Sequence, residues 1–306
     1  MMKDLFNRKQ LAVHDGRDGF RLKDHPSEHP ESVSKEKAAA YLSEMQERMQ
    51  ELQDKLYAQD RLSLLLVFQA MDAAGKDGTI RAVMSGVNPQ GCHVVSFKAP
   101  TVHELDHDWL WRVYRELPER GKIGIFNRSH YEEVLVTKAH PELIANQRLP
   151  DIGKVEDLGK DFWEQRYATI RAMEEHLAAN GTRILKFFLN VGKEEQKKRF
   201  LERIEDLAKN WKFSSRDVAE RQYWDDYQAA YEEAIRETAR PHAPWFVIPA
   251  DHNRTRNLMV CDIIVNELES MNLAYPEPEA EELAKMEAAK KSLLSEYYMH
   301  FNGNNR

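Results

Sequence analysis

The stretch Leu64-Leu65-Leu66-Val67-Phe68-Gln69-Ala70-Met71-Asp72-Ala73-Ala74-Gly75-Lys76-Asp77-Gly78-Thr79-Ile80 decides the fold. An apolar run of strand type leads into a Gly-Lys loop, and the loop leads into a helix. That order makes a phosphate cradle: loop N–H groups point at the anion, and the helix start adds roughly half a positive charge. Lys76 supplies a mobile full charge for the outer phosphates. The usual pattern is G-x-x-x-x-G-K-[ST], and this loop departs from it twice. Ala70 stands at the first glycine, and Asp77 replaces the hydroxyl that ordinarily holds Mg2+. Asp72, a carboxylate inside a phosphate loop, calls for a metal or a transferable proton.

The chain has 306 residues, 42% of them hydrophobic and 31% charged. That supports a sizeable core under amphipathic helices. No apolar run approaches the roughly 20 residues of a membrane span, and the N-terminus lacks a signal-peptide core. Two cysteines, Cys92 and Cys261, give neither a disulfide framework nor metal-ligand spacing. A cytoplasmic location is expected. The net charge of -7 argues against nucleic acid as partner. Residues 193–221 are the exception, with nine Lys or Arg against seven Asp or Glu. A local basic wall in an acidic protein points to a specific anionic substrate.

Strand candidates lie at 62–69, 93–97, 122–127, 183–189 and 245–249, separated by helix-length sequence. The alternation predicts an α/β fold with about five parallel strands flanked by helices. Residues 1–33 are polar and read as an extended N-terminal arm. Ser34 is placed to cap a helix over 35–59. The main domain is expected over 34–275. Inside it, 192–240 reads as a lid of two long helices joined at Lys209–Ser214, with Ser214 or Ser215 capping the second. A last helix and tail are expected over 276–306.

Two further segments carry chemistry. The first is Gly121-Lys122-Ile123-Gly124-Ile125-Phe126-Asn127-Arg128-Ser129-His130-Tyr131-Glu132-Glu133-Val134, a strand ending in polar residues before a helix. Ligands of open α/β sheets bind beyond the carboxyl ends of strands, so this end is expected to face Lys76. Asn127 occupies the position where an Asp normally serves the metal. The metal-directed carboxylate is then Asp72, with Asn127 holding a metal-bound water. Arg128 can fork onto a phosphate. The second segment is the lid. Arg199 and Arg203, four residues apart, share a helical face, and Lys209, Lys212, Arg216 and Arg221 continue the basic surface. A mobile lid of this kind brings charge onto a transferring phosphoryl group and excludes water.

Together these motifs resemble the polyphosphate kinase 2 family. The resemblance is carried by Asp72–Ile80, Ser85–Gly91, Phe97–Thr101, Phe126–Glu132 and Lys209–Ser214, in order, over about residues 30–272. It implies a thymidylate-kinase-like P-loop core in three layers, with a helical lid. It also implies reversible phosphoryl transfer between inorganic polyphosphate and a nucleotide, with Mg2+ or Mn2+. Asp72, Lys76, Asn127 and Arg128 become the catalytic centre. Ala74, Gly75, Asp77, Gly78, Thr79, Arg112, Ser129, Glu132 and the lid residues Arg199, Arg203, Lys209, Lys212 and Arg221 become phosphate or nucleotide contacts. Members restricted to diphosphates tend to have Trp-Tyr-Asn after the Arg-Ser pair. His130-Tyr131-Glu132 resembles instead the subgroup that makes ATP from AMP through ADP. AMP, ADP and ATP are the implied nucleotides, with guanine nucleotides as further candidates, and the family suggests a homo-oligomer.

Two competing functions fit parts of the sequence. One is a nucleoside monophosphate kinase with ATP as donor. The other is a nucleotide-gated binding protein without catalysis, suggested by Ala70 and Asp77. The expected chemistry is direct in-line transfer, dominated by positioning and charge neutralisation.

Overall fold

A computed structural model describes residues 6–16, 19–29 and 33–303, with side chains described to residue 295. The elements run α1 (Arg8–Leu11), β1 (Ala12–Val13), α2 (Lys35–Gln59), β2 (Ser63–Ala70), α3 (Lys76–Val83), β3 (Cys92–Ser96), α4 (Val102–Leu105), α5 (Trp111–Tyr114), β4 (Ile123–Asn127) and α6 (Glu132–Ala139). They continue with α7 (Lys160–Ala179), β5 (Thr182–Asn190), α8 (Lys193–Glu205), α9 (Ser215–Ala219), α10 (Trp224–Thr238), β6 (Trp245–Pro249), α11 (Asn253–Ser270) and α12 (Ala280–Gly303).

The fold is mixed α/β around one sheet with strand order β1-β6-β5-β2-β4-β3. All neighbours pair in parallel except β1 with β6. Five strands fall within a residue or so of the expected segments; β1 is the sixth. Its two residues, Ala12 and Val13, are too few for periodicity to reveal. Every residue of β2 is buried, as the two covered faces of a central parallel strand require. The helices α2, α3 and α11 pack among themselves, as do α6, α7 and α10.

Ser34 caps α2 as expected, its hydroxyl accepting from the Lys37 N–H at 3.3 Å. The 1–33 segment is less extended than its composition suggests. Its described part forms α1, β1 and a 3-10 turn, buries Phe6, Val13 and Leu22, and ties Arg8 to Asp262. Residues 1–5, 17–18 and 30–32 of that segment lie outside the described residues, as do 304–306 of the tail.

The 192–240 region is not two long helices. After α8 come a 3-10 turn at Asn210–Lys212, the short α9 capped by Ser214, a second 3-10 turn, and α10. The start of α8 is fastened to the core, and α10 buries Ala230, Tyr231, Ala234 and Ile235. The apolar side chains Ile204, Leu207 and Trp211, at the end of α8 and just beyond it, are exposed. The chain divides after Leu273 into a large unit and a second unit, Ala274–Arg306, that contains α12.

A buried ion pair joins strand, helix and site. Lys186 on β5 donates to Glu174 at 2.6 Å, to the Tyr131 hydroxyl at 2.9 Å and to the Thr238 carbonyl at 2.9 Å. Burial pulls the Lys186 pKa down to about 8 against the attraction of Glu174. Burial alone would raise the Glu174 carboxyl, but Lys186 and His130 hold it below its ordinary value. Lys186→Met strands the carboxylate and is expected to cost about 3–5 kcal/mol of stability. Adding Glu174→Gln should recover most of that loss, and urea unfolding of the single and double variants measures both.

Candidate active site

The site begins where two neighbouring strands end. Phe68 of β2 lies opposite Asn127 of β4, so loop 71–75 and turn 128–131 start side by side. Both contain left-handed backbone: Ala73 has φ 60°, Gly75 98° and Arg128 63°. For a non-glycine residue this costs roughly 1–2 kcal/mol, so the surroundings must impose it. The Arg128 N–H donates to the Phe68 carbonyl at 3.0 Å. The buried Ser129 hydroxyl accepts from Gln69 Nε2 and from the Tyr131 N–H, both at 3.1 Å. Ser129 thus braces the turn.

The loop carbonyls are taken by side chains from much later in the chain. Gln196 Nε2 donates to the Asp72 carbonyl at 2.9 Å. Arg199 Nη1 donates to the Ala73 carbonyl at 3.1 Å and the Ala74 carbonyl at 2.9 Å. Arg256 Nη1 reaches the Ala74 carbonyl at 2.8 Å. In a trans peptide the C=O and the following N–H point opposite ways, so carbonyls held here turn N–H groups to the other side. The first turn of α3 adds N–H groups without intrahelical acceptors. Thr79 is spent on the helix itself: its N–H and its hydroxyl both donate to the Gly75 carbonyl, at 2.9 and 3.1 Å.

Lys76 donates to the Ala70 carbonyl at 3.1 Å. It is half-buried as a residue, but its ammonium end is shielded by protein atoms. That burial, helped by Arg128, lowers its pKa to about 8, with Asp72, Glu132 and Asp77 opposing. Arg128 pairs with Asp72 at 2.9 Å and with Glu132 at 3.4 Å. Burial opposes the Arg128 charge, yet the Glu132 and Asp72 carboxylates raise its pKa above the ordinary value.

Asn127 turns to Asp77, Nδ2 donating to Oδ1 at 2.6 Å. The structure therefore pairs Asp72 with Arg128 and Asn127 with Asp77; among the described residues the expected metal partners Asp72 and Asn127 share no hydrogen bond. Among the described residues no group of three or more His, Cys, Asp or Glu is arranged to hold a metal. Mg2+ does not require one, since it binds through one or two carboxylates plus substrate phosphates and water. Asp72 and Asp77 each keep a second carboxylate oxygen beyond these bonds, and Asn127 keeps its amide oxygen. Hard oxygen donors of this kind fit the ion.

The basic residues divide by what they touch. Arg199 has donors on Glu195, on the two loop carbonyls and on the carbonyls of Ala250 and Asp251, so it braces the loop. Arg221 donates to the Lys193 carbonyl and Gln196 Oε1. Arg203 lies 3.7 Å from Asp217, and Lys209 pairs with Glu202 at 3.2 Å. The Lys212 ammonium sits 5.0 Å from the Trp211 ring centre. Arg112 lies over Phe97 and donates to the Lys98 carbonyl at 2.7 Å, beyond the end of β3.

Two cavities are lined in part by the loop and the strand end before it. A cationic one of about 910 Å³ is lined by Ala73, Lys198, Arg203, Lys209, Lys212 and Arg254, among others. A narrow one of about 40 Å³ lies among Asp72, Arg128, Glu132, Asp217, Glu220 and Tyr231. Asp217 has its carboxyl pushed up by burial and by the neighbouring Asp72. Gln196, Asp217, Arg254 and Arg256 were not picked out from sequence. Arg254 and Arg256 follow the carboxyl end of β6, so the strand-end rule applied to β2 and β4 would have reached them.

A profile of the polyphosphate kinase 2 (PPK2) family matches residues 32–276. The chain belongs to the polyphosphate kinase 2 family. The ADP-polyphosphate phosphotransferase of Rhodopseudomonas palustris is 54% identical over 244 residues, covering 80% of this chain and 83% of that protein. The AMP/ADP-polyphosphate phosphotransferase of Meiothermus ruber is 45% identical over 274 residues, covering 89% and 96%. The crystal structure of polyphosphate kinase 2 from Arthrobacter aurescens TC1 superposes with a TM-score of 0.82 at 36% identity, covering 94% of this chain and 96% of that one. As a polyphosphate kinase 2, the chain places the loop, Arg128 and the cationic cavity in a phosphotransferase. No helix among the described residues is long and apolar enough to cross a membrane.

Proposed function

We propose that this protein transfers phosphoryl groups reversibly between inorganic polyphosphate and AMP or ADP, on a thymidylate-kinase-like P-loop fold. The observation that carries the reading is a pair of unlike cavities lined by adjoining residues of one loop, Ala73 in the larger and Ala70, Met71 and Asp72 in the smaller. The large cationic cavity suits a linear polyanion, and the narrow carboxylate-rimmed space beside Arg128 suits an acceptor phosphate. The donor chain lies along Arg203, Lys209, Lys212 and Arg254. The acceptor phosphate meets Arg128 and Glu132, with Asp72 as its metal-side or proton-side partner. The narrow space holds too little for a nucleotide, so residues 215–221 have to move outward to admit one. Glu132 in place of an amide supports AMP as well as ADP, the behaviour named for the Meiothermus ruber relative.

Lys76 and the loop N–H groups hold the transferring phosphoryl group while Arg128 neutralises charge as it develops. Mg2+, or Mn2+ in its place, would be held by oxygens of Asp72, Asp77 and Asn127 together with substrate phosphates, and would supply further charge neutralisation. The acceptor oxygen is already acidic, so proton abstraction by Asp72 contributes little and transfer is direct. A cytoplasmic setting goes with the nucleotide substrates, and homo-oligomeric assembly belongs to the same reading.

Purified protein with Mg2+ and polyphosphate is expected to form ADP and ATP from AMP, and ATP from ADP, with GDP run in parallel to read base preference. No nucleotide product from polyphosphate, with turnover from ATP plus AMP instead, would replace this reading with an ordinary monophosphate kinase. Lys212→Ala should raise KM for polyphosphate about tenfold, the worth of one charged contact. The KM for AMP should stay within about twofold, because the two ligands use different cavities.

A further inference from the structure

Arg256 is an ionised group in the wrong place for stability. It lies on the first turn of α11 and is 2% exposed. Its Nη1 donates to the Ala74 carbonyl and to Asn253 Oδ1, both at 2.8 Å, and its Nη2 donates to Asn257 Oδ1 at 3.2 Å. Nε has no hydrogen-bond partner. All of these acceptors are neutral, and among the described residues no carboxylate forms an ion pair with it. The charged neighbour that does register is Arg199, which shares the Ala74 carbonyl. Burial and that like charge lower its pKa to about 9.

A buried cation without a counter-ion is costly unless something compensates it. The guanidinium is packed directly under the phosphate loop: a Cβ on Gly75 would lie 2.5 Å from Nη1. Only the backbone of residues 74 and 75 separates it from the helix start. Holding the Ala74 carbonyl also sends the Gly75 N–H of the same peptide to the opposite side. An anion seated in the loop would meet both that N–H and the field of the buried charge.

We propose that Arg256 is a positioning residue that acts through the Ala74–Gly75 peptide: it orients the loop for phosphate, and its uncompensated charge finds a counter-charge only when phosphate occupies the loop. The inference rests on loop 71–79 being the phosphate site. The free protein thus carries an electrostatic cost that ligand removes, which couples phosphate binding to stability more strongly than surface contacts would.

The test is thermal unfolding of the full chain titrated with tripolyphosphate, for wild type, Arg256→Met and Arg256→Lys. Arg256→Met should melt at or above the wild-type temperature without ligand, because an apolar chain of similar length replaces an unpaired buried charge. Its apparent Kd for tripolyphosphate, read from the melting shift, should rise about tenfold. Arg256→Lys keeps the charge and should keep most of the shift, while kcat falls because the fork on Ala74 and Asn253 is lost. If Arg256→Met loses melting temperature without ligand yet keeps a wild-type phosphate shift, the guanidinium is only a structural tie and the proposal fails. Should Arg256→Met not fold, Arg256→Lys decides alone: loss of the shift despite the retained charge overturns the proposal. A wild-type protein that shows no shift at all overturns this inference and the phosphotransferase reading together.

Discussion

Arg128→Ala is expected to lower kcat by about a thousandfold, the scale on which an arginine stabilises phosphoryl transfer. Two losses combine. The transition state loses a forked cation, and Asp72 and Glu132, which Arg128 holds at 2.9 and 3.4 Å, are left facing an incoming anion. Arg128→Lys restores a point charge without the planar fork and should recover only part of the rate. The turn itself should survive, because it is held by the Phe68 carbonyl and by Ser129 and Tyr131, none of which involve the guanidinium. Steady-state kinetics with polyphosphate and AMP, beside a melting curve, separates the two effects. A rate loss under tenfold in a folded variant would remove Arg128 from the chemistry.

Lys76→Met should lower kcat/KM by about two to three orders of magnitude, the scale for removing one preorganised donor at developing charge. The pH profile gives a second handle. Lys76 ionises at about 8 in the free protein, chiefly because its ammonium end is buried, so its positive charge is present below that value and lost above it. The profile of kcat/KM reports the free enzyme and is expected to fall as pH rises through about 8. Bound phosphate favours the ammonium form, so the profile of kcat should hold to higher pH. Lys76→Arg stays charged throughout and should lack the alkaline limb even where its rate is reduced. Persistence of the limb in that variant would assign it to another group.

The strands were legible because buried parallel strands are written as short continuous apolar runs, and 64–68, 123–126 and 245–248 are such runs. The capping of α2 was legible because Ser34 has one obvious job at the start of an amphipathic pattern. β1 was not, since two residues carry no period. Neither was the break between α8 and α10, where 3-10 turns interrupt a pattern that still looks helical by composition. Within the site, a carboxylate and a lysine in a Gly-Lys loop and an arginine at a strand end pointed to Asp72, Lys76 and Arg128, and the structure brings the three together. Arg199 and Arg256 were harder. A basic residue near an anion site invites the assignment of a ligand, and nothing in its identity says that it will bind a carbonyl instead. The Asn127–Asp77 pairing was hidden for the same reason: spacing places both near the loop, but only the fold chooses their partners.

The carbonyl ties also set an order of assembly. Loop 71–75 is complete in the first quarter of the chain, yet the side chains that fix its Asp72, Ala73 and Ala74 carbonyls are Gln196, Arg199 and Arg256. The neighbours of β2 in the sheet arrive late as well, β4 from residue 123 and β5 from residue 182. During synthesis the loop therefore emerges long before these three clamps exist. A nascent chain ending before residue 256 holds the whole Gly-Lys motif but lacks the last clamp. The last of these clamps arrives with α11, nearly 180 residues after the loop itself.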